Sequence, residues 1–270
     1  MLKHARVVLL GLFIIFYASA AMAQTLPVPE DAGFDRAIGA FFIVGPDYEG
    51  SDDYRFIAAP LLQFKFLGNR YIQLLGNQLF VNVLNHDHWE LGPAAVLRPG
   101  RDDVDDDVVD LMEDIDMAFE LGGFISYLHV FNNNIRHRFK ARISVTQDVT
   151  DNHGGLVARL ASVYWHPVAR AFDIGINAQI TLVSDDYMST YFGVSPADAA
   201  ASGLSIFDAD GGAKDVGTSL MGLLHLSQSW HVGAGVYYRR LLGDAEDSPV
   251  VDERGDADQV IAGVGVVYTW

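Results

Sequence analysis

The stretch VIAGVGVVYTW, residues 260–270, alternates between two faces. One face carries Val260, Ala262, Val264, Val266, Tyr268 and Trp270, and the other carries Ile261, Gly263, Gly265, Val267 and Thr269. Successive side chains of a strand point to opposite sides of its sheet. The stretch is therefore typical of a strand that meets hydrocarbon on one side and a crowded or polar interior on the other, with aromatic residues at the membrane interface.

Further segments alternate in the same way, at residues 117–131, 135–149, 172–182 and 230–238. Each is about as long as a tilted strand must be to cross a bilayer. Helical periodicity is weak and confined to residues 196–201. Strands span lipid only as a closed barrel, because an open edge leaves backbone groups unpaired. The pattern predicts an all-β, transmembrane, antiparallel up-and-down β-barrel; a secreted β-sandwich, which also alternates, is the alternative.

The N-terminus predicts export. Lys3 and Arg6 precede an apolar run at residues 7–17, and Ala21-Met22-Ala23 resembles a signal-peptidase site. We predict a signal peptide at 1–23, a short periplasmic N-terminal segment at 24–34 and the barrel at 35–270. An uncleaved anchor helix is the alternative, although the run is shorter than the ~20 residues that a spanning helix needs.

Composition excludes several classes of protein. The net charge is −17, half of the residues are hydrophobic, and there is no Cys. Disulfides and thiolate metal sites are therefore excluded. Nucleic acid is not expected as a partner, because phosphate binding needs a basic footprint. We predict no cofactor.

Linker lengths predict the orientation and the strand number. Counting back from the C-terminus, long linkers at 244–256, 187–213 and 100–115 alternate with short ones. Bacterial barrels have long outer loops and short periplasmic turns. The alternation predicts twelve strands if residues 70–84 hold two short strands that turn at Gly76-Asn77. If that region holds one strand, ten is the expected number.

Three stretches resemble the MltA-interacting protein family, also called MipA/OmpV. GPDYEGSDDYRFIAAPLLQF carries Pro46, Tyr48, Gly50, Ser51 and Pro60, and LGPAAVLRPGR ends in Gly100-Arg101. The most specific stretch is YFGVSPADAAASGLSIFDADGG, residues 191–212.

The resemblance implies a barrel in the outer membrane of a didermal (Gram-negative) bacterium. It also implies a scaffold that links a lytic murein transglycosylase to a peptidoglycan synthase. Lipid, lipopolysaccharide and the barrel-insertion machinery are the other expected partners. The family pattern has no catalytic residues. A small-solute or ion channel and a surface adhesin are the alternative functions.

Arg136, Arg138, Lys140 and Arg142 alternate along one segment and predict a basic column that faces the lumen. The favoured interpretation is internal ion pairing with Glu90, Glu120, Asp148 and Asp173, because buried charges need partners. The alternatives are a pore constriction and, for Arg136 and Arg138, a contact with an acidic partner at the periplasmic mouth.

The run RDDVDDDVVDLMEDID, residues 101–116, is strongly acidic. It does not have the spacing of an EF-hand loop, so specific Ca²⁺ binding is the less favoured interpretation. We expect a hydrated outer loop that loose divalent ions bridge to lipopolysaccharide.

Gly265, Tyr268 and Trp270 resemble a C-terminal signal for barrel assembly, and an aromatic interface girdle is a compatible interpretation. His153 beside Asp151, and the pair Asp185-Asp186, are weak candidates for catalysis. Without a supporting motif such as G-x-S-x-G, we expect no enzymatic activity. His129 and His137 are expected at the membrane interface near the periplasmic end.

Overall fold

The computed structural model describes residues 33–270 and shows a closed barrel in which β1 pairs with β12. The strands are β1 (Arg36–Pro46), β2 (Tyr54–Lys65), β3 (Tyr71–Leu75), β4 (Gln78–Asn82), β5 (Trp89–Arg98), β6 (Ala118–Val130), β7 (Arg138–Asp148), β8 (Leu156–Ala169), β9 (Phe172–Val183), β10 (Gly212–His225), β11 (Trp230–Leu241) and β12 (Asp258–Thr269). The loops hold α1 (Asp185–Phe192), α2 (Pro196–Ser202), α3 (Asp244–Asp247), α4 (Pro249–Asp252) and 3-10 turns at Val109–Leu111 and Phe131–Asn133. The predicted signal peptide and all but the last two residues of the 24–34 segment lie outside the described residues.

The C-terminal stretch closes the barrel in the predicted way. Its register with β1 runs from Ala37 opposite Thr269 to Val44 opposite Ala262. Val264 is exposed on the outer face, whereas Ile261 is fully buried inside. The predicted barrel is confirmed. No helix within residues 33–270 is long and apolar enough to cross a membrane.

The two ends of the barrel differ in loop length. Short turns gather at one end, and we assign this end to the periplasm because bacterial barrels have short periplasmic turns. The long connections at 47–53, 99–117, 184–211 and 242–257 lie at the outer end. The weak helical pattern at 196–201 corresponds to α2, whereas α1 was not predicted.

The prediction of two short strands within residues 70–84 is confirmed, and the ten-strand alternative is wrong. β3 and β4 have five residues each. They turn at Gly76, whose φ of 57° favours glycine. Within residues 33–270, the part of β2 before Leu61 pairs only with β1, so the wall is lower here. The loop after β5 crosses to the β1–β2 loop on this side, where the Asp105 N–H donates to Asp47 at 3.0 Å.

Glycines in the wall make room for aromatic rings in the lumen. A Cβ on Gly217 would lie 2.1 Å from the Tyr237 hydroxyl, and one on Gly265 would lie 2.5 Å from the Phe41 ring. Both rings belong to one buried hydrophobic cluster with Ile261. The small residues on the inner face of β12 are therefore needed to make room for aromatic rings in the filled lumen.

Candidate functional site: the lumen and its two ends

Folded loops with a hydrophobic core of their own cover the outer end of the lumen. Tyr187, Met188 and Phe192 of α1 are buried against Leu241 and Val251. A second buried cluster joins the neighbouring loops through Tyr48, Val109, Met112, Val194, Leu204 and Val250. The outer end is closed by a packed cap.

Glu49, from the β1–β2 loop, ties the cap to the barrel wall. Its carboxylate accepts hydrogen bonds from Lys214 Nζ at 2.7 Å, Arg239 Nη1 at 2.9 Å and the Tyr187 hydroxyl at 2.9 Å. Burial alone would raise the pKa of Glu49, but the charges of Lys214 and Arg239 outweigh burial and hold that pKa well below its usual range. Burial raises the pKa of Tyr187 far above its usual value, so its phenol stays protonated and donates. The cap is therefore fixed by an ionised carboxylate.

A second buried carboxylate, Glu120 of β6, lies below the cap. Arg98 Nε donates to Glu120 Oε1, and the Thr146 hydroxyl donates to Oε2 at 2.6 Å. The Nε2 atom of His153 lies 3.2 Å from Glu120 Oε1. The guanidinium of Arg98 also lies 4.9 Å from the centre of the Tyr187 ring. This network joins β5, β6 and β7 to α1.

The residues considered for catalysis have structural contacts. His153 Nδ1 accepts the Gly155 N–H at 3.0 Å, and its ring packs 5.1 Å from Tyr187. Asp185 Oδ1 accepts the Gly211 N–H at 2.8 Å. Among the hydrogen bonds of the described residues, none joins His153 to Asp151. The structure therefore does not bring the sequence candidates together as an acid–base pair.

The acidic run at 101–116 is anchored to the cap at one carboxylate. Asp106 is buried and accepts from Arg254 Nη2 at 2.7 Å and from the Val109 N–H at 2.9 Å. Burial opposes ionisation, but these hydrogen bonds outweigh it and lower the pKa of Asp106. The other carboxylates at residues 102–110 are exposed. Within residues 33–270, no group of three or more His, Asp or Glu is placed to hold a metal ion.

The basic column has three members instead of four. β7 begins at Arg138, so Arg136 lies in the preceding turn, where the chain reverses at Asn132 and Asn133 with positive φ. Arg138, Lys140 and Arg142 are buried on the lumen side of β7. The alternation of basic residues extends beyond the N-terminal end of β7. A two-residue period does not show where a strand begins.

The expected ion pairs form at some of the named carboxylates. Lys140 Nζ contacts Glu90 at 2.5 Å, and Arg136 Nη2 contacts Asp173 at 2.5 Å. Glu120 instead pairs with Arg98. Asp148 accepts backbone N–H groups of the turn that follows it, including that of His153 at 2.8 Å. Glu120 and Asp148 therefore do not form ion pairs with the basic column.

Side chains fill the lumen at mid-height. The Arg142 guanidinium lies 4.1 Å from the centre of the Phe80 ring, and Gln179 Nε2 donates to the Tyr237 hydroxyl at 2.7 Å. The cavity between Phe80 and Arg159 has a volume of about 10 Å³. This cavity has room for about one water molecule. A larger cavity, of about 150 Å³, opens below this level at the periplasmic mouth.

A histidine pair that sequence reasoning did not select lies at this mouth. The Nδ1 atoms of His225 and His231 are 2.7 Å apart, so one ring donates its N–H to the other. His225 Nε2 lies 2.9 Å from Asp173 Oδ2, and His231 Nε2 lies 3.1 Å from the Thr269 hydroxyl. The sequence contained one indication of this pair, because His231 lies on the same face of its strand as small residues and therefore faces the lumen. The pair links β9 to β12 across the mouth.

Comparisons with known proteins fit this architecture. The family model described as "MltA-interacting protein MipA" matches residues 38–270. The chain belongs to this family. It is an outer-membrane barrel, and the match confirms the resemblance found in the sequence. No curated protein matches the MipA-family chain at a significant level.

Solved structures share the fold of this MipA-family barrel. The NanC porin has 10% sequence identity and a TM-score of 0.50, over 87% of this chain and 100% of that chain. The COG4313 outer membrane channel from Pseudomonas putida F1 has 12% identity over 92% of this chain and 100% of that chain. Its TM-score of 0.47 is too low to support an argument. At these identities the likeness concerns the fold alone.

The outer surface of the MipA-family barrel has a histidine and aromatic arc at its periplasmic end. His137 Nε2 lies 2.8 Å from the Tyr164 hydroxyl, and its ring stacks 4.6 Å from Phe131. His166 and His129 lie beside these rings. Imidazole and phenol groups suit the boundary between headgroups and hydrocarbon.

The residues of the predicted assembly signal lie at the same end. The Tyr268 ring is 4.9 Å from Trp230 and 6.1 Å from Trp270, and these rings are exposed. Gly265 faces the lumen below Phe41. Recognition of these residues by the insertion machinery stays a prediction.

Proposed function

We propose that this MipA-family chain is a non-catalytic scaffold that holds murein-remodelling enzymes at the inner face of the outer membrane. A lytic murein transglycosylase and a peptidoglycan synthase are the proposed partners. The observation that carries this proposal is the lumen, which is filled at mid-height and capped outside by α1. A filled and capped lumen favours a role in binding at the barrel's surface over a role in transport. The family description, which names interaction with MltA, supports the same partner class.

The proposed contact surface is formed by the periplasmic turn tips. Leu67, Ile135 and Leu226 are 75%, 45% and 61% exposed there, and Arg170 is exposed beside β8. Exposed apolar anchors with a nearby arginine are typical of protein interfaces. Arg138, proposed from the sequence as a partner contact, is 2% exposed. The contact is therefore assigned to the turn tips instead of to the basic column.

The test is capture from gently solubilised envelopes with the tagged mature barrel, followed by mass spectrometry. We expect a murein transglycosylase or synthase to be recovered. The double variant Leu226→Asp with Arg170→Glu is expected to reduce that recovery at least tenfold, because it adds two negative charges to the proposed surface.

Leu111→Asp is the matched control, because Leu111 is 57% exposed at the opposite end of the barrel. This variant is expected to retain full capture. Recovery of only the insertion machinery and lipopolysaccharide, or equal capture by all variants, would contradict the scaffold.

A small-solute or ion channel is the second candidate, because the barrel shares its fold with the NanC porin. Planar-bilayer recordings separate the two functions. The filled lumen predicts no steady conductance for the scaffold. Stable single-channel steps from the intact chain would instead favour the channel.

A further inference from the structure

A cavity opens at the periplasmic mouth between β2, β3, β5 and β7. Its volume is about 150 Å³. An engineered protein cavity of about 150 Å³ binds benzene, so this volume accommodates a single six-membered ring. Unlike the packed middle of the lumen, the mouth therefore has room for a small ligand that arrives from the periplasm.

The charges that line this cavity balance among the described residues. The lining contains three carboxylates and three cationic groups, which belong to Asp35, Asp87, Glu90, Lys65, Arg138 and Lys140. Lys140 Nζ lies 2.5 Å from Glu90, and Lys65 Nζ lies 3.2 Å from Asp35. A ligand with a net charge would disturb these pairs, because a buried charge is stable only beside its partner. The cavity therefore suits a neutral polar molecule.

The lining is ordered in layers along β2 and β3. From the deepest layer to the one nearest the periplasm, the paired residues are Leu61 with Leu75, Gln63 with Gln73, and Lys65 with Tyr71. Phe34 also lines the cavity and packs against the hydrophobic cluster that contains the two leucines. A bound molecule would meet an apolar surface at the inner end of the cavity and polar groups nearer the periplasm.

The amide of Gln63 has a hydrogen-bonding capacity that the protein does not use. Gln63 Oε1 is buried and has no hydrogen-bond partner in the part of the chain that the structure describes. Buried acceptors are normally satisfied, so a donor supplied here would gain a hydrogen bond. A turn of the amide toward the cavity would cost Oε1 no existing bond. The Tyr71 hydroxyl and Glu90 Oε2, 2.8 Å apart, are further polar groups of the same lining.

We propose that the periplasmic mouth holds a binding site for one neutral sugar ring. The carbon-bound hydrogens of a pyranose suit the apolar end at Phe34, and its hydroxyls both donate and accept hydrogen bonds. These hydroxyls would donate to Gln63 Oε1 and to the Glu90 carboxylate. Two sources supply such a ring: a free sugar of the periplasm and the terminal residue of a glycan chain. The site is independent of the proposed scaffold, because neither source requires a murein enzyme at the turn tips.

Isothermal titration calorimetry of the full mature chain tests the site, in a detergent without a sugar headgroup. The probes are N-acetylglucosamine and its β-1,4-linked trimer, and we expect saturable binding. Gln63→Leu should weaken that binding about tenfold, because the side chain keeps its approximate size and loses its amide. Gln228→Leu is the matched control and should bind normally, because Gln228 is exposed in the β10–β11 turn at the same end of the barrel. Binding of the trimer would assign the site to a chain end, and binding of the single ring alone would assign it to a free sugar.

Protection from thiol labelling is a second measurement, because the protein has no native Cys. Asn69→Cys places a thiol on the cavity lining, and a saturating probe should slow its reaction with a polar maleimide at least tenfold. Leu226→Cys, at a position 61% exposed in the β10–β11 turn, should react at the same rate with and without the probe.

Three results would overturn the sugar site. The first is that neither probe binds saturably, and the second is that Gln63→Leu binds the probes as tightly as the natural protein does. The third is that only glycine betaine, a zwitterion without hydroxyls, protects Asn69→Cys, because the cavity would then select for charge.

Discussion

The two ends of this lumen differ in how they are built. At the outer end, long acidic loops fold into a cap with hydrophobic clusters, and Glu49 holds that cap to two buried cations. At the periplasmic end, short turns leave a polar mouth with a histidine pair and a cavity of about 150 Å³. Loop length explains the difference, because only long loops can bury apolar side chains of their own. The outer end is closed by apolar packing and buried ion pairs, whereas the periplasmic end is lined by polar side chains.

The largest expected effect is at the outer end. Glu49→Gln removes the carboxylate that Lys214 and Arg239 share and leaves Lys214 with Asp215, 3.0 Å away. Breaking a buried ion pair typically costs about 3–5 kcal/mol. We expect this loss in the free energy of cap opening, measured by proteolysis of the 184–211 loop in the folded barrel.

Glu246→Gln is the control, because Glu246 forms an ion pair with the exposed Arg240. A solvent-exposed pair contributes little to stability, because water screens it. Equal protease sensitivity of the two variants would remove the special role of Glu49.

Acid should destabilise the outer cap. The folded-state pKa of Glu49 lies below its unfolded value, so its stabilisation is present above the unfolded pKa. It is lost as the pH falls through the folded pKa, so we expect protease sensitivity of the cap to rise only below about pH 4.

The comparison is a pH series of cap proteolysis in the natural protein and in Glu49→Gln. The variant should be sensitive at every pH and show a flatter profile. Parallel profiles would show that another group controls the acid response.

Gly265→Ala tests the packed wall between the two ends. The added Cβ would lie 2.4 Å from the Ala40 carbonyl oxygen and 2.5 Å from the Phe41 ring. Overpacking of this kind typically costs about 1–3 kcal/mol. We expect that loss in denaturant unfolding of the barrel, and Phe41→Leu should recover part of it. A neutral Gly265→Ala would show that the ring can move aside.

Deletion of Trp270 should have the smallest effect on the finished barrel. Its ring is exposed at the periplasmic interface, so we expect a loss of less than about 1 kcal/mol. Assembly into membranes should nevertheless slow, if the last residues are read as an assembly signal. Pulse-labelled insertion kinetics measure this directly, and a normal rate would leave Trp270 with only its place in the aromatic girdle.

The sequence predicted the strands better than the loops. Alternation along β12 identified its lipid and lumen faces, and linker parity required the short strands β3 and β4. The helix α1 was missed although Tyr187, Met188, Tyr191 and Phe192 recur at helical spacing. The segment has only eight residues, and its apolar face is explained only by the loops that cover it.

The site was harder to predict than the fold. Arg136 was placed on β7 because the alternation of charge does not stop where the strand stops. Glu120 was identified as a lumen residue, but its partner Arg98 was not. The histidine pair was missed because His225 and His231 lie on different strands and meet only across a turn.

The sequence alone determined the strands and their two faces, because the two-residue period of a strand is a local property that each segment displays by itself. The tertiary structure decided how the barrel is closed. Glu49 is separated in sequence by 165 residues from Lys214 and by 190 residues from Arg239. These residues come into contact only when β1, β10 and β11 are assembled around one lumen. Contacts of that range depend on strand order and register, which no local pattern contains.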